Sequence, residues 1–422
     1  MLKRMPIGIL LMAVALAAKS AVAADSGLKT GDFVMVCGDS ITEQKDYSVL
    51  IEDYMLMCQP AANLRVGQSG WGGETSWGFR DRMANDVLPF NPSVATTCYG
   101  MNDGGYGPLS NSNAKFYRES QTKIVEMFKK AGLHFIVVGS PGCVDADTFH
   151  KSPEQAVVYN KTLSQLKDIA HEVADAEGVA FADVWDPMVD VMTKAKAKYG
   201  RDYDIAGGDG VHPGHNGHLV MAYAFLKGLG CDGTIGTITL DLAGNKGQAT
   251  DGHKVLSFQD GTAEMESTRY PFCFHGANLE SHDSTRGVLE FLPFNQDLNR
   301  FQLVVTNPGA DRVKVTFGKD TKEFAAADLA KGINLAAEFL DNPFSEPFQK
   351  VEGAIRNQQN FETPLIKDLM HNLMRYQEFA PAEADSLKRI QAALIDRDKT
   401  EFAASAAAVQ PVRYTIKIDA VK

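Results

Sequence analysis

Between residues 31 and 230, short apolar runs alternate with longer stretches of helical periodicity, and this alternation leaves few folds open. Phe33–Cys37, Leu64–Val66, Ser93–Tyr99, His134–Val138 and Val179–Val184 read as strands. Tyr47–Cys58, Lys115–Lys130, Glu154–Glu177 and Gly217–Leu229 read as helices. Strands this short and apolar are covered on both faces, and helical crossovers between them imply parallel pairing. The pattern predicts a three-layer α/β/α domain built on a parallel sheet over residues 24–230. In such sheets ligands bind at the carboxyl ends of the strands.

The pattern changes at Gly230-Cys231-Asp232-Gly233. Thr234–Leu242, Val255–Gln259, Arg300–Asn307 and Val313–Phe317 read as antiparallel strands separated by turns. Helical stretches follow at Pro347–Arg375 and Ala382–Asp396, then a last strand at Val412–Ile418. A chain of 422 residues exceeds what one core usually organises. Residues 231–422 are therefore expected to form a C-terminal α+β accessory region with β-rich and helical parts.

The first residues have the layout of a secretory leader: basic Lys3 and Arg4, the apolar run Ile7–Ala18, then Ala21-Val22-Ala23 as a small-x-small cleavage site. This predicts a leader over residues 1–23 and a secreted or periplasmic protein. Losing the leader removes Lys3, Arg4 and Lys19 and no acid, which moves the formal charge from −11 to about −14. Such a surface disfavours nucleic acid and anionic membranes as partners. No later apolar run reaches membrane length, so no stable membrane insertion is expected. The six cysteines lack C-x-x-C spacing. Cys37 and Cys98 lie in strand-like runs and read as buried hydrophobes, and Cys231–Cys273 is the first pair to test for a disulfide.

Four segments carry chemistry. Val36-Cys37-Gly38-Asp39-Ser40 places a serine at a strand-to-helix turn, where backbone N–H groups can face a developing negative charge. Asp209-Gly210-Val211-His212-Pro213 puts an aspartate three residues before a histidine, a spacing that can fix the imidazole tautomer and stabilise its protonated form. Tyr99-Gly100-Met101-Asn102-Asp103 follows a strand and offers a side-chain amide to an oxyanion. The segment Gly67–Thr75 contains Gly70, Gly72 and Gly73, whose backbone can approach a substrate closely. Each alone has a plain structural reading: a capped turn, a loop hydrogen bond, an Asx turn, a flexible loop.

Together, in this order, they resemble the SGNH (GDSL-type) hydrolases over about Asp32–Gly230. The resemblance implies Ser40 as nucleophile, with His212 as its base and Asp209 behind it. It implies an oxyanion hole from the N–H groups of Ser40 and Gly73 and the Asn102 amide. Gly73 is chosen because Gly73-Glu74-Thr75 is similar to the family's Gly-Asp-Thr; Gly70 is the alternative. No cofactor is implied. The G-x-S-x-G elbow, H-E-x-x-H, Walker and dinucleotide motifs are missing from the sequence. His212, His215 and His218 are spaced by three but show no carboxylate or cysteine partner in the sequence, so no metal site is assigned; His215 reads as exposed and His218 as packed.

Trp71 and Trp77 flank Gly73 and are candidate substrate-binding rings for a sugar face. The expected function is a secreted serine esterase acting on a small-molecule or glycan ester, with short acyl groups on carbohydrates favoured. Lysophospholipase, thioesterase or arylesterase activity, or a non-catalytic glycan-binding role, are the alternatives. Residues 231–422 hold four histidines, none in a catalytic motif, so that half is expected to shape or shield the substrate site. The sequence does not fix the oligomeric state.

Overall fold

The structure, a computed structural model, describes residues 27–421. The predicted leader at residues 1–23 lies outside the described residues.

Five parallel strands form the first sheet: β1 (Phe33–Gly38), β2 (Arg65–Gly70), β3 (Val94–Cys98), β4 (Phe135–Gly139) and β5 (Ala180–Ala182), in the order β2-β1-β3-β4-β5. Side chains on a strand alternate between faces, and both faces here are apolar. Met35, Cys37, Ile136 and Val138 join one buried cluster, whereas Val34, Val36 and Val137 join another. Helices α3 (Ser76–Asp86), α4 (Asn111–Lys130) and much of α5 (Pro153–Glu177) cover the first face. Helices α2 (Tyr47–Asp53, continued by a π-helical turn to Cys58) and α7 (His215–Gly228) cover the second, with α6 (Trp185–Tyr199) packed on α7. A four-residue helix, α1 (Ser40–Glu43), begins just past β1. This is the expected three-layer α/β/α arrangement.

Helices α3 and α6 were not predicted. The reason is clear for α3: its sequence Ser76-Trp77-Gly78-Phe79-Arg80-Asp81-Arg82 is polar, yet Arg82 and Asp86 are buried with their partners. An apolar period cannot reveal a helix whose inner face carries an ion pair.

The second half adds strands β6 (Thr234–Asp241), β7 (Lys246–Ala249), β8 (His253–Gln259), β9 (Thr262–Ser267), β10 (Arg300–Thr306), β11 (Arg312–Phe317), β12 (Asp320–Ala325), β13 (Ile333–Asn334) and β14 (Val412–Ala420). Its short helices are α8 (Phe294–Asp297), α9 (Ala326–Lys331) and α10 (Leu335–Glu338); the long ones are α11 (Ser345–Pro364), α12 (His371–Phe379) and α13 (Ala384–Ala407). One sheet, in the order β12-β11-β14-β9-β8, is antiparallel throughout. The other, β13-β10-β6-β7, departs from the expectation because β6 and β10 pair in parallel. Parallel neighbours need a long crossover, and more than fifty residues separate this pair, a relation that strand periodicity cannot register. The expected helical stretch over Pro347–Arg375 is α11 and α12 joined through a π-helical stretch, Leu365–Met370. Pro364, which has no N–H to donate, sits at that junction.

The two halves share one core cluster, running from Val34 and Leu50 to Phe301, Phe348 and Ile418. Helix α11 also covers the outer edge of β2. Gln68 N donates to Glu362 Oε2 (2.8 Å), Gln358 Nε2 donates to Val66 O (3.3 Å), and Gly70 N donates to Gln68 Oε1 (2.9 Å). Side chains here satisfy an edge that a further strand would otherwise pair.

Candidate active site

Ser40, the loop after β2 and the loop after β3 all leave the same end of the sheet. The register aligns Gly38 with Gly70 on one side and Cys98 on the other. Ser40 is thus two residues past the sheet, Gly73 three and Asn102 four. Gly38 must be glycine: a Cβ there would lie 2.0 Å from Thr42 Oγ1 and 2.9 Å from Cys98 O. Asp39 caps α1 by accepting from Ile41 N (3.0 Å). Ser40 N–H, at the first helical position, has no intrahelical acceptor and no other protein acceptor among the described residues.

The Asp209–His212 loop closes on Ser40 from before α7. Ser40 Oγ is 2.8 Å from His212 Nε2, and His212 Nδ1 is 2.7 Å from Asp209 Oδ2. Asp209 Oδ1 accepts from Val211 N and His212 N, both at 2.9 Å. Partial burial works against the Asp209 charge, but these bonds and the nearby imidazole outweigh it and hold the carboxyl below its ordinary range. An ionised Asp209 can only accept, so Nδ1 carries the proton and Nε2 presents its lone pair to the Ser40 hydroxyl. Two glycines shape the loop. Gly207 (φ +79°) would place a Cβ 1.7 Å from His212 O, and Gly210 (φ +75°) would place one 2.5 Å from Phe149 N.

The loop after β2 is anchored from beneath by residues that periodicity and motif spacing did not single out. Arg82 binds Glu74 through two bonds, 2.6 and 2.8 Å, and also donates to Ser69 O (2.8 Å). Tyr99 OH adds a third donor to Glu74 (3.0 Å). The one available signal was Glu74 itself, an acid inside a glycine-rich loop. Gly73 (φ +72°) has open space where a Cβ would project, and its N–H has no protein acceptor among the described residues. Gly70, the alternative, is explained by packing, since its Cβ would lie 2.2 Å from Glu43 N. Asn102 Nδ2 donates to Glu74 O (3.0 Å), which brings the amide to this loop. Asp103 turns inward and accepts from Ser76 N (2.9 Å) and Gly100 N (3.0 Å).

Below these donors the carboxyls are held towards their neutral forms. Burial pushes Asp39 up to about 7, with Asp103 and Glu74 adding to the shift and Ile41 N–H opposing it. Burial likewise pushes Asp103 up to about 6, against its Ser76 and Gly100 bonds.

Trp71 sits beside the Gly73 loop, its ring within 4.9 Å of the Arg82 guanidinium, the Lys367 ammonium and the edge-on His371 ring. Trp77 does not join it but lies against Phe116 of α4, with centroids 6.3 Å apart. The histidines spaced by three do have a carboxylate nearby. Asp46 lies 3.3 Å from His215 Nδ1 and 3.8 Å from His218 Nε2, a tertiary approach invisible in the sequence. His215 is half-buried against His275 rather than exposed, and His218 is packed against Tyr47. Among the described residues no group of three or more His, Cys, Asp or Glu side chains is placed to hold a metal. All six cysteines are buried and unbridged, including Cys231 and Cys273.

The model of the GDSL-like lipase/acylhydrolase family matches residues 36–220, a span that contains Ser40, Gly73, Asn102, Asp209 and His212. This domain belongs to the SGNH/GDSL family. The family is one of ester hydrolases, and residues 36–220 are this chain's share of it. The solved structure of BT4096, a gut microbial diltiazem-metabolizing enzyme, matches over 93% of this chain and 98% of its own, at 22% identity and a TM-score of 0.69. It therefore shares the fold of both halves. A catalytic mutant of Axe2, an acetylxylan esterase from Geobacillus stearothermophilus, matches 48% of this chain and 96% of its own (20% identity, TM-score 0.40). A putative GDSL-like lipase from Parabacteroides merdae matches 48% and 97% (19% identity, TM-score 0.41). No curated protein matches the chain.

Proposed function

We propose that this protein is an exported serine esterase that removes short acyl groups, acetyl foremost, from carbohydrates through an acyl-enzyme. The observation that carries the reading is the hydrogen-bonded chain Ser40 Oγ, His212 Nε2, His212 Nδ1, Asp209 Oδ2, with links of 2.8 and 2.7 Å. His212 takes the Ser40 proton as Oγ attacks the ester carbonyl, and then gives it to the departing alcohol. Water attacks the acyl-enzyme with His212 again as base, and the acid leaves. The N–H groups of Ser40 and Gly73 and the Asn102 amide receive the oxyanion. Residues 24–230 supply this chemistry and residues 231–422 act as the accessory half. The leader-like residues 1–23 support a secreted or periplasmic location, and the acidic balance argues against nucleic-acid partners.

The test is acetate release from a panel of O-acetylated glycans, run beside p-nitrophenyl esters of increasing chain length. Diltiazem belongs on that panel, because the structure matching most of this chain is described as metabolizing it. Short-chain preference and release from glycans are expected, with Ser40→Ala abolishing both at unchanged stability. Ser40→Ala turnover within tenfold of wild type would remove Ser40 as nucleophile. A preference for long acyl chains would replace the carbohydrate reading with a lipid one.

A further inference from the structure

The helical run of α11 and α12 lays a line of polar side chains along the loops that flank Ser40. Arg356 donates to Asp46 Oδ1 (2.7 Å), Thr363 Oγ1 meets the Lys45 ammonium (3.5 Å), and Lys367 pairs with Glu43 Oε1 (2.6 Å). The line ends at His371, whose Nδ1 is 2.9 Å from the buried carboxylate of Asp86. Asn85 Nδ2 fixes the backbone there by donating to the carbonyls of Met370 and His371, both at 3.1 Å. His371 thereby forms one wall of an open cleft of about 580 Å³ that includes Gly73.

We propose that this pocket is the subsite for the alcohol half of the ester, that it takes a hydroxylated ring, and that His371 from the second half determines its specificity. The inference rests on the ester-hydrolase reading of Ser40. Three observations support it. The pocket shares Gly73 with the proposed oxyanion hole, so a group bound there lies beside it. Its volume falls in the range of about 300–1,000 Å³ that holds a drug-sized ligand, far more than an acetyl group fills. Its wall combines the apolar face of Trp71 with the polar side chains of Thr75, Asp81, Asn85 and His371. A sugar ring can lay its apolar face on the aromatic ring while its hydroxyls meet several donors and acceptors, a pairing that an alkyl chain uses only in part.

The local geometry suits His371 to that role. Asp86 occupies its Nδ1, its Nε2 has no protein partner among the described residues, and its side chain is 42% exposed. Lys367 contributes behind the wall, holding Trp71 from one side while Arg82 holds it as well. Both Lys367 and His371 follow from the π-helical stretch at Leu365–Met370, which sets their angular positions on the helix.

The experiment compares kcat/KM on partially O-acetylated cellobiose, cyclohexyl acetate and p-nitrophenyl acetate for the full chain, His371→Ala and His371→Gln. Loss of one hydrogen bond and its wall should lower the cellobiose-to-p-nitrophenyl ratio about tenfold in His371→Ala, chiefly through KM. His371→Gln, which can return a donor near the Nε2 position, should restore most of it. A ratio within twofold of wild type, or equal losses on every substrate, would overturn the assignment. So would cyclohexyl acetate rivalling the sugar ester in the wild type. Failure of the underlying esterase reading looks different: no substrate would then depend on Ser40.

Discussion

Arg82→Met removes the anchor of the loop after β2 while keeping most of the side-chain volume. The side chains of Arg82 and Glu74 are 5% and 6% exposed, so neither is screened by water. Without the guanidinium, Glu74 keeps the Tyr99 hydroxyl as its remaining partner, and Ser69 O loses a donor. Breaking a buried pair from one side costs about 3–5 kcal/mol, because the other charge is left without compensation. Burial already holds the Glu74 carboxyl above its ordinary range, outweighing the attraction of Arg82 and the Tyr99 bond. Losing Arg82 raises it further, so the folded variant keeps a proton that the unfolded chain releases above about pH 4.3. The native state then binds more protons, and stability falls as pH rises. Urea denaturation followed by circular dichroism should show a deficit of about 3 kcal/mol at pH 7, smaller at pH 5 and larger at pH 8. Glu74→Gln/Arg82→Met, which removes both charges of the Glu74–Arg82 pair and leaves Asp86 with His371 and Asn85, should recover at least half of it. Turnover should stay depressed in both variants, because the Glu74 carbonyl receives the Asn102 amide and Gly73 is its neighbour. A deficit under 1 kcal/mol, a deficit that grows towards acid pH, or a double variant no better than Arg82→Met would refute the reasoning.

Asn102→Ala should lower kcat about 100-fold with little change in KM, since its amide acts on the transition state; steady-state kinetics on p-nitrophenyl acetate reads the split. Asp209→Asn should retain more activity than His212→Ala, because the Asp209 side chain is 48% exposed and water can partly replace it; kcat of the two variants settles the order. Gly207→Ala should displace the His212 carbonyl, which lies 1.7 Å from the added Cβ, and thereby cost both stability and turnover, as melting and kcat will report. Burial depresses His253 to about 4, with Arg269 adding and the Ile235 carbonyl opposing. The unfolded chain protonates it near pH 6.5, so stability is lost as pH falls from there, by up to about 2.5 kcal/mol at pH 4.5. His253→Gln should shrink the difference in unfolding free energy between pH 7 and pH 4.5 by roughly 2 kcal/mol. His218, depressed in the same direction, leaves some acid sensitivity behind.

By itself, the sequence determined the three-layer sheet and the order of its chemical loops. Both are written locally: apolar runs such as Phe33–Cys37 and His134–Val138 can only be central strands, and a parallel sheet places the loops after β1, β2 and β3 at one edge. The Asp209–His212 spacing is local too, because three residues suffice to bring a carboxylate to its own loop's imidazole. Tertiary structure alone decided the rest. The Glu74–Arg82 pair spans eight residues and two elements, and it hides an ion pair inside a helix that reads as polar. The parallel pairing of β6 with β10 depends on a crossover longer than any periodic window. His371 and Lys367 reach the Gly73 loop across roughly three hundred residues of chain, through a helix whose apolar period records what it buries but not which loop its polar side meets. Contacts of that kind are fixed by packing between elements, and single-sequence patterns report each element's own faces only.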